Sequence, residues 1–579
     1  MTISVALAPA HSAALQRRLE AVYDRRSSRY HQWLSTGQFA HRYGPSDRIR
    51  HAVTRYLRAH GLDVSTAASP FLIRATGSSD DVSAAFHTRL SSYRNARGVR
   101  YFSNSTAVRL PPRLASHVNG VIGLSNTLRA HSSVKRTPFT GLKGARKSTV
   151  SCEAPYPTAQ QLFDAVNNGV GFPFGYGGGP GCNGLTPSQD NGIYGAPHVG
   201  SRGKGAGADV AVFELSAYQH SDIDTWTKQF YGASFHAPLV DVDVDGGPLN
   251  PQCPTGDTCP PQFEGYAGDI EVVADIQMEL AMAPAVRHLI VYNAPNDFTG
   301  QTELDEWTRI ADDNTADTIS SSWGICENDI DAGYAQAENL LFEQMALQGQ
   351  SVFGASGDTG SYDCIRADGS TILNVNDPPS QPWVTSVGGT SFEHFNPGTT
   401  QHPNYPHAGE APWNVDNLCN DSADEGGHPG FFWCGATGAG GGGSSQFWGR
   451  PFYQRGPGVI SSDTVYGNGS THCSLARVGT PCRETPDISA DADEYTPYAE
   501  YCTGSAATPF SVCATFSDQQ TPPGWFGIGG TSLSSPLWAG IAVDRVSYTG
   551  HRFGNANPLL YLAYNAAPRR FFHDVTGAG

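Results

Sequence analysis

The stretch "GIGGTSLSSPLWAG" at 527–540 delivers Thr531 and Ser532 from a glycine run, and Pro536 then leads into an apolar segment that can continue as a helix. A serine hydroxyl becomes a nucleophile only when a base takes its proton. Histidine is the commonest base, but none of the 19 histidines is followed by the Gly-Thr that would open a base-bearing helix. The segment "SVGGTSFEHF" at 386–395 repeats the Gly-Gly-Thr-Ser and makes Ser391 a rival. Only Ser532 has a proline four residues on, where a helix can begin, so Ser532 is the expected nucleophile.

The base is sought among carboxylates. In "AGDIEVVADIQMELAMAP" (267–284), Ile270, Val272, Val273, Ile276, Met278, Leu280 and Met282 occupy nearly every side of an expected helix. A helix apolar all round is a buried helix. Glu271, Asp275 and Glu279 nevertheless follow one another at four-residue spacing, which puts them on one stripe. Like charges placed together in a dry setting cannot all ionise, and such a pair shares protons. Glu271 can then serve as base, with Asp275 orienting it as the third group of a triad does. A carboxylate with an ordinary pKa of ~4 works as a base only in acid. In "GASGDTG" (354–360), Asp358 sits on a glycine turn after an expected buried strand. Protonated in acid, it could donate to an oxyanion.

These groups need a scaffold. From about residue 156, short apolar strands (208–215, 286–295, 317–324, 351–358) alternate with helical stretches (271–283, 302–313, 331–348), a pattern that predicts a mainly parallel sheet covered by helices. Active groups are expected at the carboxyl ends of its strands. Residues 1–126 read as a small α+β domain, including a helix with Ser46 as N-cap and Gly61 past its end. Residues 127–155 lack periodicity and read as an accessible processing linker before a 156–579 domain. The glycine-rich run 435–447 lacks the Lys-Ser/Thr ending of a phosphate loop and is read as shaping backbone.

Bulk properties agree with two bodies. At 579 residues the chain exceeds one core. Residues 1–150 hold 23 Lys/Arg against 6 Asp/Glu, a net of +17, so the remainder of a chain at −17 overall carries −34. The basic residues are dispersed in an amphipathic pattern, not clustered, so no nucleic-acid partner is expected. The charge split predicts mutual attraction that fades as acid neutralises the carboxylates. No apolar run approaches the ~20 residues of a membrane span. The first 22 residues lack a secretory signal pattern. All 12 cysteines lie beyond residue 150, mostly in close pairs: Cys253/Cys259, Cys419/Cys434, Cys473/Cys482 and Cys502/Cys513, with Cys152/Cys182 and Cys326/Cys364 wider apart. Disulfides and a secreted protein are expected.

Taken together, "EVVADIQ", "SSSWG", "SGDTG", "PWVTSVGGTS", "GGGGSSQFWGRPFYQ", "TPDISADAD" and "GGTSLSSP", in this order, resemble the sedolisins, or serine-carboxyl peptidases. "VALAP", "YHQWLSTGQFAHRYGPS", "LRAHGL", "AAFHTRLSSY" and "VIGLSN" resemble the kumamolisin-type activation domain that precedes them. The resemblance covers nearly the whole chain. It implies a subtilisin-like, mainly parallel sheet flanked by helices, behind a ferredoxin-like prodomain that inhibits its own enzyme. It implies a self-processing, acid-acting monomer whose substrates are polypeptides. It implies Ser532 as nucleophile, Glu271 as base, Asp275 orienting it, Asp358 in the oxyanion hole, and Glu214 and Trp323 as outer proton-relay partners. It implies that Ser322, Trp323 and Gly324 pair with substrate backbone, that Glu279 is structural, and that Ser391 only shapes a turn. It further implies a calcium site beginning at Asp574 and Val575, whose later ligands would fall beyond Gly579; six to eight oxygens are needed, so the site is expected to be incomplete here. Three competing readings stay open. A subtilisin-like protease would need a histidine base, and a glycoside hydrolase would need carboxylates from different elements. A catalytically inactive homologue would show no turnover at pH 4.

Overall fold

The computed structural model describes residues 1–65, 69–94, 100–128, 130–136, 177–195, 203–248, 268–365, 372–392, 410–414, 438–459, 472–503, 513 and 523–575. Its front domain runs strand–helix–strand–strand–helix–strand through Thr2–Leu7, Asp47–Ala59, Asp63–Ser65, Leu72–Thr76, Ser79–Phe86 and Val118–Ile122. The four strands form one sheet in which Thr2–Leu7 lies between Leu72–Thr76 and Val118–Ile122, with Asp63–Ser65 at the edge beyond Leu72–Thr76. That is the ferredoxin-like arrangement. Alternation along the strands decides which face goes where. Ile3, Val5, Leu7, Ile73 and Val121 point to the domain's own helices and pack with Val53, Leu57, Val82 and Phe86. Ala6, Leu72 and Ile122 point the other way, into a core shared with Leu304, Leu340 and Leu341.

The second face is therefore covered by two helices of the larger domain, Gln301–Asp313 and Ala332–Gln348. Ser4 donates to Gln301 Oε1 at 3.0 Å, Tyr23 donates to the Ala346 carbonyl at 2.8 Å, and Arg74 pairs with Asp305. The backbones touch where Gly120 meets Gly333: a Cβ on Gly120 would stand 2.5 Å from the Gly333 Cα. Gly120→Val is expected to overpack this contact, at a cost of about 1–3 kcal/mol. In full-length chain, hydrogen exchange across 301–313 and 332–348 should rise. Unchanged protection would show that the contact does not govern docking.

The larger domain is built on an eight-stranded sheet. Its strands lie side by side in the order 239–243, 288–293, 209–214, 318–321, 351–355, 385–392 and 410–412, with 488–491 also joined to 385–392. All pair in parallel except 410–412, which is antiparallel. Parallel strands end at one edge. Ser321 pairs with Phe213 on one side and Gly354 on the other, so Glu214, Ser322 and the turn carrying Asp358 emerge as neighbours. The fold is thus the subtilisin-like α/β sheet with an α+β front domain.

Two helices cross behind that edge. Asp269–Met282 is buried over nearly its whole length, as its all-round apolar sequence predicts. Thr531–Thr549 packs against it through Gly540, where a Cβ would come within 2.7 Å of the Met282 Cβ. Pro536 lies inside this helix, not in its first turn. A proline there leaves the carbonyl four residues back, that of Ser532, without its helical partner. Ser391 also departs from expectation: it lies in strand Thr385–Phe392, paired with Ala411, and shapes no turn.

Disulfides join Cys326 to Cys364, Cys473 to Cys482 and Cys502 to Cys513, as the spacing suggested. Cys182 is also disulfide-bonded. Cys152, Cys253, Cys259, Cys419 and Cys434 lie outside the described residues. Among the described residues no helix is long and apolar enough to cross a membrane.

Candidate active site

Ser532 is the second residue of helix Thr531–Thr549 and is fully buried. The first backbone N–H groups of a helix have no intrahelical acceptor and sit at the positive end of its dipole, so the Ser532 N–H is available to a developing negative charge. The Ser532 carbonyl freed by Pro536 accepts from the Ser322 hydroxyl at 3.1 Å. The same hydroxyl lies 2.7 Å from Asp275 Oδ1. One hydroxyl proton serves one acceptor at a time. With Asp275 protonated, Asp275 donates to Ser322 and Ser322 donates to the Ser532 carbonyl, a chain that ties the helix of Ser532 to the helix of the carboxylates.

Glu271 faces Asp275, Asp358, Ser532 and Ser132, and its carboxyl is fully buried. Burial pushes its pKa well up, and the neighbouring Asp275 charge adds to that. The hydroxyls of Ser532 and Ser132 pull in the opposite direction by favouring the charged form, although neither reaches full hydrogen-bond geometry with the Glu271 oxygens. Asp275 is raised by burial and then by Glu214. Glu214 is raised chiefly by burial, while the Trp323 indole N–H donates to its Oε2 at 2.8 Å and stabilises its charged form. Behind it, Glu306 accepts from the Glu214 backbone N–H at 3.0 Å and is itself raised by burial. Glu271, Asp275 and Glu214 form a row of carboxyls running away from Ser532. It cannot be fully charged in so dry a setting, so it holds protons as a unit.

Asp358 lies on the opposite side. Its Oδ1 accepts from the Thr531 backbone N–H at 2.8 Å and from the Thr531 hydroxyl at 2.9 Å. Its Oδ2 is buried with no hydrogen-bond partner. Burial raises Asp358 to about 7, against the pull of the two Thr531 bonds. Below that pH it carries a proton, and Oδ2 is the oxygen free to donate it. The glycine-rich run helps to hold this turn. Gly441 N donates to Gly357 O at 2.7 Å, and a Cβ on Gly441 would stand only 2.1 Å from the Ser356 carbonyl oxygen.

Glu279, one turn beyond Asp275, is buried with both carboxyl oxygens unpartnered and its pKa well up, chiefly from burial. Asp574 and Val575 do not join the group: Asp574 is exposed and accepts from Tyr564 at 3.1 Å. Two neighbours do not by themselves make a calcium shell of six to eight oxygens, and among the described residues no cluster of three His, Cys, Asp or Glu side chains includes Asp574. Asp269 lies near Cys502 and Cys513, but that pair is a disulfide and offers no thiolate.

The sequence reading missed Thr531, which fixes Asp358, and Asn296, whose Nδ2 donates to the Ala130 carbonyl at 2.9 Å. The Thr of "GGTS" was visible without its partner; Asn296 carried no signal at all. It also misread the start of the linker. Ala130 and Ser133 are buried, not accessible, and residues 131–132 and 135–136 are strands.

Sheet, front domain and buried serine–carboxylate cluster define a serine-type peptidase made with an activation domain. A family model described as "Pro-kumamolisin, activation domain" matches residues 1–127. The chain is 28% identical to sedolisin of Pseudomonas sp. (strain 101), over 99% of this chain and 80% of the relative. It is 27% identical to kumamolisin of Bacillus sp. (strain MN-32), over 94% and 79%. Its identity to tripeptidyl-peptidase 1 of Homo sapiens is 24%, over 100% and 84%. The chain is thus similar over nearly its whole length to sedolisin and kumamolisin, and its first 127 residues match the activation domain described for pro-kumamolisin.

Proposed function

We propose that this chain is a secreted, self-processing zymogen that hydrolyses peptide bonds in acid through an acyl-enzyme on Ser532. The observation that carries this reading is the buried row Glu271–Asp275–Glu214 ending at the Ser532 hydroxyl, with protonatable Asp358 across from it. Glu271 takes the hydroxyl proton as Oγ attacks the substrate carbonyl. Asp275 and Glu214 spread the added proton along the row, and Trp323 steadies its far end. The oxyanion meets the Ser532 N–H and the Asp358 carboxyl, donors aimed where charge develops. Glu271 then returns its proton to the leaving amine, and water completes the cycle. Residues Ser322, Trp323 and Gly324 offer backbone to an extended peptide. Domain limits of 1–126, 127–155 and 156–579 belong to the same reading, with the front domain as intramolecular inhibitor of a monomeric enzyme. None of these steps calls on calcium.

The docked face tempers one expectation drawn from charge. Glu343, which accepts from Gln16, and Asp305, paired with Arg74, are each raised by burial to about 7. Groups that take up protons on burial favour docking in acid, against the long-range attraction that acid removes and salt screens. Loss of charge alone is therefore a poor release mechanism, and cutting the connection is the better one.

Activity on a protein substrate should peak in acid, between the pH at which the Glu271–Asp275–Glu214 row first gives up a proton and the value of about 7 at which Asp358 loses its own. It should fall as pH rises toward 7, because Asp358 then loses the proton it donates. A pH–rate profile of the mature enzyme checks this. A maximum near neutrality with little activity at pH 4 would exclude Glu271 as base.

A further inference from the structure

Residues 131–136 cross the face of the site as an extended chain. His131–Ser132 pairs antiparallel with Trp323–Cys326, Ser132 opposite Trp323 and His131 opposite Gly324. Lys135–Arg136 pairs antiparallel with Trp525–Gly529, the strand that feeds the Ser532 helix. The segment is thus clamped on both sides of the nucleophile by main-chain ladders, the sequence-tolerant way in which a site holds a peptide. Upstream, Asn296 Nδ2 holds the Ala130 carbonyl at 2.9 Å. Between the clamps, the Ser133 backbone N–H points at Ser532 Oγ with N···O 3.1 Å. The Ser132 carbonyl carbon is one amide bond, ~1.33 Å, from that nitrogen. The Ser132 hydroxyl faces Glu271.

We infer that the peptide bond between Ser132 and Ser133 is the bond this chain cuts in itself to begin maturation. The inference rests on the peptidase reading and names its first substrate. Ser532 Oγ bonds to the Ser132 carbonyl carbon as the hydroxyl proton passes to Glu271. The C–N bond to Ser133 breaks, and the Ser133 nitrogen leaves as an amine carrying the proton that Glu271 returns. The front fragment is then held as an ester on Ser532 through Ser132. Water hydrolyses the ester, giving a Ser132 carboxylate and a free Ser532 hydroxyl. Before the cut, the same segment occupies the site between the two strands and so keeps other polypeptides out of it. The residue on the acyl side is small, and its side chain lies beside the Glu271 carboxyl. The positions accepted there in other polypeptides should likewise favour small side chains.

The test uses the full-length chain purified at neutral pH, shifted to pH 4, and followed by intact mass and N-terminal sequencing. The first new N-terminus should be Ser133, with a front fragment ending at Ser132. Ser532→Ala should give neither. Ser133→Pro removes the N–H and displaces the leaving amide, and should slow the first cut by about 100-fold, the cost of a misplaced reacting group. Ser133→Ala keeps the N–H and should mature like the parent. A peptide of sequence TLRAHSSVKRTP given to mature enzyme should be cut between its two serines. A first N-terminus elsewhere in 127–155, or a Ser133→Pro chain that matures on the parent's time course, overturns the assignment. Should the enzyme digest a protein substrate at pH 4 yet leave 132–133 intact, only the bond assignment falls. A chain that cuts neither itself nor a protein substrate overturns the peptidase reading as well.

Discussion

Ser532→Ala, Glu271→Ala and Asp275→Ala are each expected to lower turnover by about three to six orders of magnitude, and any two together by scarcely more than one alone. The reason lies in how the three groups depend on each other. Without Glu271 the Ser532 proton has no acceptor. Without Asp275 the Glu271 carboxyl loses its orienting neighbour, and Ser322 loses its contact to the carboxylate helix. Glu271→Gln keeps the shape but cannot take a proton, so it should resemble Glu271→Ala in rate while preserving stability. Ser391→Ala supplies the contrast, since Ser391 is held in the sheet opposite Ala411 and should leave turnover nearly intact. Rates of a chromogenic or fluorogenic peptide at pH 4, with thermal melts to confirm folding, decide it. Strictly multiplicative losses would mean that the groups do not act as one device. A mild Glu271→Ala phenotype would return attention to a histidine base.

Much of this site was legible because its chemistry leaves local marks. The spacing of Glu271, Asp275 and Glu279 on an otherwise apolar helix showed where charge is forced into a dry place, and all three are buried. Parallel strands followed from alternating apolar strands and helices, and with them the common edge where Glu214, Ser322 and Asp358 emerge. What stayed hidden was long-range. Thr531 meets Asp358 across 173 residues of sequence, and Asn296 meets Ala130 across 166. No periodicity encodes such contacts. Pro536 misled because its effect is not to begin a helix but to free the Ser532 carbonyl within one, which matters only once Ser322 is known to reach it. The opening of the linker misled for a related reason. A segment without periodicity, rich in Ser, Lys and Arg, reads as exposed, yet a peptide gripped by its backbone needs no apolar side chains to become ordered.

The second large effect concerns stability. The intact Ser532→Ala zymogen is expected to melt at a higher temperature at pH 4–5 than at pH 8, by about 5–10 °C if several kcal/mol are involved. Burial is the leading cause that holds Glu303 and Glu327 at about 8 and Asp358 and Glu343 at about 7. Glu214, Glu271, Asp275, Glu279, Glu306 and Glu500 are raised well above their ordinary values, each chiefly by burial. In the unfolded chain these groups titrate near 4. Between about pH 4 and 8, then, the folded protein holds protons that the unfolded chain has released. Stability that is complete below pH ~4 is lost as pH rises through that window. Each group gives up ~1.4 kcal/mol for every pH unit separating its unfolded titration midpoint from its folded one. His31 works the other way, since burial lowers its pKa and neutral His31 favours folding above pH ~6.5; one partly buried histidine is outweighed by ten buried carboxyls. The net charge of −17 at pH 7 adds repulsion on the same side. A flat or rising melting temperature from pH 4 to 8 would show that the buried carboxyls ionise without cost, through water entry or relaxation. A sharper version replaces Glu303 and Glu343 by glutamine, which imitates the protonated acid at every pH. That double variant should gain stability at pH 8, gain little at pH 4, and flatten the slope between them.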